Sequence, residues 1–486
     1  MSCNPDKTQR RNILKWASVL ALANSLRAGG QTSGAPGQDS ASPEPGVSVP
    51  QARDEGAGAG SRYGASHGPK ATGAGLPPLK ITDVRVIVTC PDRNYVLVKI
   101  LTSEPGLYGV GDASLNGREL SVATTLEKYL APLLVGRDPE QIEDTWQYLY
   151  RGPYWRGGPV QMTALAGVDL ALWDIKGKRA GMPLYQLLGG RTRTGALAYT
   201  HASGADFAEV EDAVRRGMAR GFKCVRAQVA IPGLEGTYGT SSRRKSEEHA
   251  GRVDQQDNLP ETETFEPSPY LRTVPKLFEH LRSKLGDEVE LLHDTHEKVS
   301  PIEAARLAHA LEPYHLFFLE DLLRPEHKES FRLIRQHSTT PLAMGELFNS
   351  IWDCVPLITE QLIDYIRCGV VHIGGITPAR KVAALAEAFH VKTAWHGAAD
   401  LGPPTQAAQI HLDVSIPNFG VQEMVFFPEV TREVIRGGPT FKDGYMNVDD
   451  APGLGTDVNE ELAKKYPYTR SYLPTARRKD GSVQDW

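Results

Sequence analysis

The segment LLHDTHEK, residues 291–298, sets Asp294 and His296 two positions apart behind a pair of leucines. Two further carboxylates follow at an even interval: Glu320 in LFFLED and Glu346 in PLAMGE, each 26 residues after the previous one. Three carboxylates held at one site repel each other and raise each other's pKa. A hard divalent cation removes that conflict, and an all-oxygen ligand set suits Mg2+ better than zinc, which usually brings His or Cys. Surface ion pairs, or the two carboxylates of a glycoside hydrolase, are the plainer alternatives. A pair leaves the third member unexplained. Asp294, Glu320 and Glu346 are therefore candidate metal ligands. His296 is a candidate general acid near neutral pH. On an extended strand, side chains two apart share a face, which predicts Asp294 and His296 on one side.

Such residues need elements that bring them together. After Gly190, short apolar runs alternate with helical patterns. Eight candidate strands begin at Ala196, Lys223, Val289, Leu316, Pro341, Tyr365, Lys392 and Phe419. Most starts lie 24 to 27 residues apart, the length of a strand, a helix and two short loops. One interval of 66 residues holds a long polar excursion at about residues 231–271, which predicts a lid or a subunit contact. Eight such units predict a (β/α)8 TIM barrel; an open doubly wound sheet is the alternative, and no Gly-rich phosphate turn follows the first strand. The strands end at His201, Arg226, Asp294 with His296, Glu320, Glu346, Arg367, His396 and Glu423. In a barrel these ends converge on one face, and the even spacing predicts the three carboxylates at one height.

Before the barrel, KITDVRVIVTC and NYVLVKILTSEPGLYGVGDAS read as strands. A helix from about 120 to 149 and another through MTALAGVDLALWDIKGKRAG follow, the latter stopping at Gly181. Residues 79–193 thus form an α+β capping domain, 194–430 the barrel, and 431–486 a segment returning to the cap. Residues 26–78 are rich in Gly, Ala, Ser and Pro and read as a disordered linker. Residues 1–25 carry Arg10-Arg11, then Ile13-Leu14-Lys15 and an apolar run of eight residues, too short for a membrane span, which needs roughly 18. That pattern resembles a twin-arginine export signal, with Gln9 and Ile13 as departures, and places the protein in the periplasm or outside; a cytoplasmic location is the alternative.

The 486 residues carry a net charge of −5 and no basic block, which argues against nucleic acid as a partner. Five scattered cysteines without a CxxC pair argue against a disulfide framework or a thiolate zinc site, and Cys224 and Cys368 read as buried apolar residues.

The stretches DASLNGRE, ALAYTHASG, LLHDTHE, LFFLED, TTPLAMGELFNSIWDC, IDYIRCGVVHIGGIT, AWHGAADL and PNFGVQE, with the closing Trp486, resemble the D-mannonate dehydratase family of the enolase superfamily. The resemblance covers residue 79 to the C-terminus. It implies a modified barrel with a capping domain and an Mg2+ site on Asp294, Glu320 and Glu346. It also implies an Arg226–Tyr238 pair as base, His296 as acid, and sugar-acid contacts from Asn116, His201, His296, Glu346, Arg367, His396, Asp400 and Glu423. Without it, Tyr238 in TYGTSS reads as a loop tyrosine and Asp400 as a helix cap. The implied reaction removes the C2 proton and the 3-hydroxyl of a small sugar acid, D-mannonate first and D-gluconate or another aldonate next. A superfamily racemase fits less well, because its Lys-x-Lys pair is absent from VRAQV. A reading of another class is an exported sugar-acid binding or sensing protein. The resemblance further implies a homo-oligomer, a tetramer or larger.

Overall fold

The computed structural model describes residues 77–232, 234, 262–397, 401–473 and 475–485. The expected export signal, nearly all of the linker, Tyr238, Asp400, Trp486 and most of the polar excursion lie outside the described residues.

The eight expected strands form: Ala196–Gly204, Cys224–Val229, Glu290–Asp294, Phe318–Glu320, Leu342–Met344, Tyr365–Ile366, Lys392–Thr393 and Gln422–Glu423. The first seven pair in parallel, each with the next. The eighth pairs with the first, and a Thr393–Phe419 bridge joins it to the seventh. The ring is closed, which decides against an open sheet. Six strands each send a side chain into a common interior layer that includes Tyr199, Leu292, Phe318 and Tyr365, and Ala394 and Val421, next to the last two strands, complete it. That layer fills the barrel and forms the floor beneath the polar strand ends. Helices after the third and fifth strands start in capping boxes at Ser300–Glu303 and Ser350–Asp353, so the loops carrying His296 and Glu346 stop at fixed points.

The cap is an antiparallel sheet of Ile81–Thr89, Tyr95–Thr102 and Tyr108–Asp112, backed by the helix Pro159–Ala180. Gly109 and Gly111 let that helix press on the third strand: a Cβ at Gly111 would lie 2.0 Å from Gly167 O. The helix ends at Gly181, left-handed at φ 64°, as expected. The single helix expected over 120–149 is broken instead. It runs Glu119–Thr125, widens to a π turn at Leu126–Leu130, closes at Ala131–Leu134 and restarts at Ile142–Arg151. Gly136 (φ 88°) and Pro139 interrupt it. After the barrel, Val434, Ile435 and Val458 pack with Tyr95, Leu97 and Val110 of the cap sheet. The tail takes another course. Thr475–Arg477 pairs with Thr262–Thr264, and Gln484 Nε2 donates to Lys298 O at 3.2 Å beside the third barrel loop. Among the described residues no helix is long and apolar enough to cross a membrane, and Cys224 and Cys368 are buried thiols.

The long cap helix docks on the barrel helix Ile376–Ala388. Trp173 Nε1 donates to Thr377 Oγ1 at 3.0 Å, and Thr377 N donates to Asp169 Oδ2 at 2.9 Å. Asp169 thereby caps a helix of the other domain. It is buried, and burial pushes its carboxyl up to about 7 although the Thr377 hydrogen bonds pull the other way. A carboxyl raised on folding favours the native state at low pH and loses that contribution as pH rises through its folded value. Asp169→Asn keeps the acceptor and removes the titration. Relative to wild type, the variant should gain stability between pH 4 and 7 in urea unfolding. Parallel pH profiles would show that Asp169 stays ionised.

Candidate active site

The barrel register sets the strand ends against each other. His201 lies level with Arg226, and Asp294 with Glu320. The expectation of three carboxylates at one height holds only for that second pair. Glu320 is level with Ala343, so Glu346 sits three residues further on. It follows Gly345 at φ 137°, a backbone that side chains rarely adopt and where a Cβ would meet Cys368 N at 3.0 Å. The expected strand alternation of Asp294 and His296 is likewise replaced. The strand stops at Asp294, whose Oδ1 accepts from His296 N at 2.8 Å, and His296 and Glu297 turn left-handed at φ 53° and 62°. Side-chain capture of the backbone two residues on is the habit of Asp, and here it ends the strand. His296 Nε2 thus arrives 3.3 Å from Glu346 Oε1 through a turn.

Two buried guanidiniums organise the acids. Arg226 Nη1 lies 2.6 Å from Glu320 Oε1, 3.2 Å from Asp294 Oδ2 and 3.5 Å from Glu423 Oε1. Its Nη2 is 3.3 Å from His201 Nδ1, and His201 Nε2 is 2.8 Å from Glu423 Oε1. Arg367 has no exposed surface. Its Nη1 reaches Asp321 Oδ2 at 2.7 Å and Glu346 Oε2 at 2.9 Å, its Nη2 Glu423 Oε2 at 2.8 Å, and its Nε Glu320 Oε2 at 3.4 Å. Tyr199 OH braces the centre, accepting from Arg367 Nη2 and donating to Glu320 Oε2, both at 3.2 Å. His396 Nε2 approaches Glu346 Oε2 at 3.6 Å.

The cluster gathers five carboxylates, Asp294, Glu320, Asp321, Glu346 and Glu423, around two guanidiniums, an excess of three negative charges. Burial, then Glu320, pushes the Asp294 carboxyl above the ordinary range. Burial acts the other way on His296, but Asp294 and Glu346 outweigh it, so its imidazolium is favoured. A divalent cation together with that imidazolium would balance the excess. The donors are suited to one: Asp294, Glu320 and Glu346 offer oxygen only, and Asp294 Oδ2 accepts no hydrogen bond among the described residues. No three His, Cys, Asp or Glu side chains among the described residues enclose an ion as they stand. Arg226 Nη1 lies between Asp294 and Glu320, and a bound ion would have it yield that place.

The structure brings together His201, Arg226, Asp294, His296, Glu320, Glu346, Arg367, His396 and Glu423. Asn116 stands exposed on the cap loop after the third cap strand and, among the described residues, makes no hydrogen bond or ion pair to this cluster. Tyr199 and Asp321 belong to the cluster and escaped the sequence reading. Tyr199 precedes His201 by two in ALAYTHA, and period-two alternation was the available signal. Asp321 is the second acid of LED and would be expected on the opposite face. A left-handed turn at φ 43° brings it to Arg367.

Residues 77–189 match the mandelate racemase / muconate lactonizing enzyme N-terminal domain, and residues 209–462 the enolase C-terminal domain-like family. The chain belongs to the enolase superfamily. A D-mannonate dehydratase of Caulobacter vibrioides is 54% identical over 411 residues, covering 84% of this chain and all of the relative. A D-galactonate dehydratase family member, RspA of Cellvibrio japonicus, is 52% identical over 408 residues with the same coverage. Among solved structures, an enolase from Pantoea ananatis with bound D-gluconate and Mg is 46% identical, with a TM-score of 0.78 over 84% of this chain and all of that one. In this superfamily member, the cap over residues 77–189 and the closed barrel are the two matched parts.

Removing Arg367 would strand four carboxylates in a buried site. Arg367→Ala should cost about 3–5 kcal/mol in urea unfolding, the usual penalty for deleting one partner of a buried ion pair. A loss near zero would show that other cations hold these acids.

Proposed function

We propose that this protein is a Mg2+-dependent sugar-acid dehydratase, a hydro-lyase that converts D-mannonate to 2-keto-3-deoxy-D-gluconate. The observation that carries this reading is the cluster of excess negative charge at the barrel mouth, with His296 Nε2 3.3 Å from Glu346 Oε1. The Caulobacter relative's name supports D-mannonate, and the Cellvibrio relative's name supports sugar-acid dehydration in general. D-Gluconate is the near alternative, favoured by the ligand of the Pantoea structure.

Asp294, Glu320 and Glu346 would hold the ion. When bound, Mg2+ supplies Lewis-acid stabilisation of the charge that develops on the substrate carboxylate. The chain's own groups move the protons. Tyr238 takes the C2 proton, and its phenol, ordinarily near pKa 10, is made acidic enough by the permanent charge of Arg226. His296 gives its proton to the 3-hydroxyl as the C3–O bond breaks and water leaves. The C2–H electron pair forms the C2–C3 double bond, and the resulting enol ketonises to the 2-keto acid. His201, held between Arg226 and Glu423, and His396, beside Glu346, orient substrate hydroxyls. Asn116, Asp400, Glu346, Arg367 and Glu423 complete the sugar-acid contacts, Arg367 chiefly by fixing Glu346 and Glu423.

Export completes the proposal. The relatives cover 84% of this chain and the matched domains begin at residue 77, so the twin-arginine pattern precedes the enzyme proper. We further infer an assembly of tetramer size or larger.

An assay of 2-keto acid formation from a panel of aldonates, with Mg2+ and with EDTA, tests the reaction. D-Mannonate should give product that EDTA abolishes. Tyr238→Phe should lower kcat by about 100-fold or more, the scale of a lost general base. Product that survives EDTA, or none from any acid, would overturn the dehydratase assignment. For export, immunoblots of cell fractions should show a shortened form in the periplasm that disappears when Arg10 and Arg11 are both changed to Lys. Full-length protein confined to the cytoplasm rejects it.

A further inference from the structure

Asp112 ends the third cap strand and is fully buried, yet it takes no part in the chemistry above. Its Oδ1 accepts from Ser114 N at 3.0 Å and from Ser114 Oγ at 2.6 Å. Its Oδ2 accepts from Gly402 N at 2.6 Å and from Thr405 Oγ1 at 2.7 Å. One carboxylate therefore joins two segments some 290 residues apart. On one side lies the cap loop, with Asn116 two residues past Ser114. Ser114 Oγ is itself fixed, accepting from Val96 N at 3.1 Å.

On the other side lies the N-terminus of the helix Pro403–Ser415, which follows the seventh barrel strand. A carboxylate is favoured there by the helix dipole, and Gly402 N supplies the backbone donor, since Pro403 and Pro404 have none. One turn on from Thr405, buried Gln409 donates Nε2 to His396 O at 2.5 Å. Its Oε1 accepts from Gln422 Nε2 at 3.3 Å, and Gln422 Nε2 also reaches Trp395 O at 3.2 Å. Next along, Gly397 N donates to Glu423 Oε2 at 3.0 Å. The backbone that aims His396 is thus referenced to the helix that Asp112 seats.

We propose that Asp112 is a positioning residue that locks the cap loop bearing Asn116 to the helix that fixes His396, so that the two halves of the sugar-acid pocket hold one spacing. The proposal deepens the dehydratase reading and rests on it for the identity of the ligand. Asp169 supplies the control. It makes the same kind of cap-to-helix contact, but to the helix after the sixth strand; the loop before that helix meets the His396 ring through the His372 ring, 6.4 Å between centroids, whereas the helix seated by Asp112 holds the His396 carbonyl.

The test compares the full-length protein with Asp112→Ala, Asp112→Asn, Thr405→Val and Asp169→Ala. Amide hydrogen exchange is followed over residues 114–119 and 396–409. Calorimetry measures Mg2+ alone and D-gluconate with Mg2+, and steady-state kinetics give KM and kcat on the best aldonate. Asp112→Ala should speed exchange in both segments and weaken D-gluconate about tenfold, raising KM more than it lowers kcat, at a cost of about 1.4 kcal/mol in binding. Mg2+ affinity should not change, because the three carboxylates sit on other strands. Asp112→Asn, which keeps the acceptor for Gly402 and Thr405, should recover most of the loss, and Thr405→Val should reproduce part of it. If Asp112→Ala does not fold, Thr405→Val decides the matter. The proposal is overturned if exchange in the two segments matches wild type. It is also overturned if Asp112→Ala behaves like Asp169→Ala, with a lower Tm and unchanged ligand affinity. Failure of the wild type to turn over or bind any aldonate would sink the dehydratase reading instead, and the exchange data alone would then judge the coupling.

Discussion

Everything at the mouth of this barrel depends on an excess of buried negative charge. Five carboxylates surround two guanidiniums in a site where all but Glu346 are buried from water. Taking such charges out of water costs several kcal/mol per ion, and only close, multiply hydrogen-bonded cations offset it. Arg367 meets that demand by touching four acids at once, and Tyr199 ties it to Glu320. Left partly unbalanced, the cluster favours a further cation and favours the charged form of His296. The same imbalance would therefore serve both to attract a cation and to keep His296 protonated.

Such a cluster needs a rigid support, and the closed barrel provides one. Pairing around the ring fixes Asp294 level with Glu320, while the aromatic and aliphatic interior layer keeps the strands from collapsing beneath them. The finer placement is made just past the strand ends. Gly345, His296 and Asp321 all have positive φ, and each such turn swings an acid or an imidazole inward. Irregular backbone of this kind costs energy and concentrates where the surrounding contacts over-determine it.

The cap is joined to the barrel by the same device used twice. Asp112 and Asp169 each place a buried carboxylate on the N-terminus of a barrel helix, where Asp112 accepts from Gly402 N and Asp169 from Thr377 N. Glycines at the receiving helix starts leave room for them: a Cβ at Gly402 would lie 3.0 Å from Asp112 Oδ2, and one at Gly375 2.4 Å from Asp169 Oδ2. Docking therefore rests on directional hydrogen bonds as well as on apolar packing.

The sequence by itself determined the barrel, because eight apolar runs at a near-constant interval have few other ways to bury themselves. It also determined the donor chemistry, since Asp294, Glu320 and Glu346 recur at one spacing whatever their exact height. Strand alternation could not place His296, nor the constant interval Glu346, because both positions depend on left-handed turns that a periodic pattern does not encode. Tyr199 and Asp321 were passed over for a related reason: their partner is Arg367, distant in sequence and brought near only by closure of the ring. The helix over 120–149 broke where a glycine and a proline outweighed its periodicity. Periodicity reports which face of an element is buried. Which charges meet across that face is decided by tertiary structure, because electrostatic partners are chosen by distance in space and not by separation along the chain.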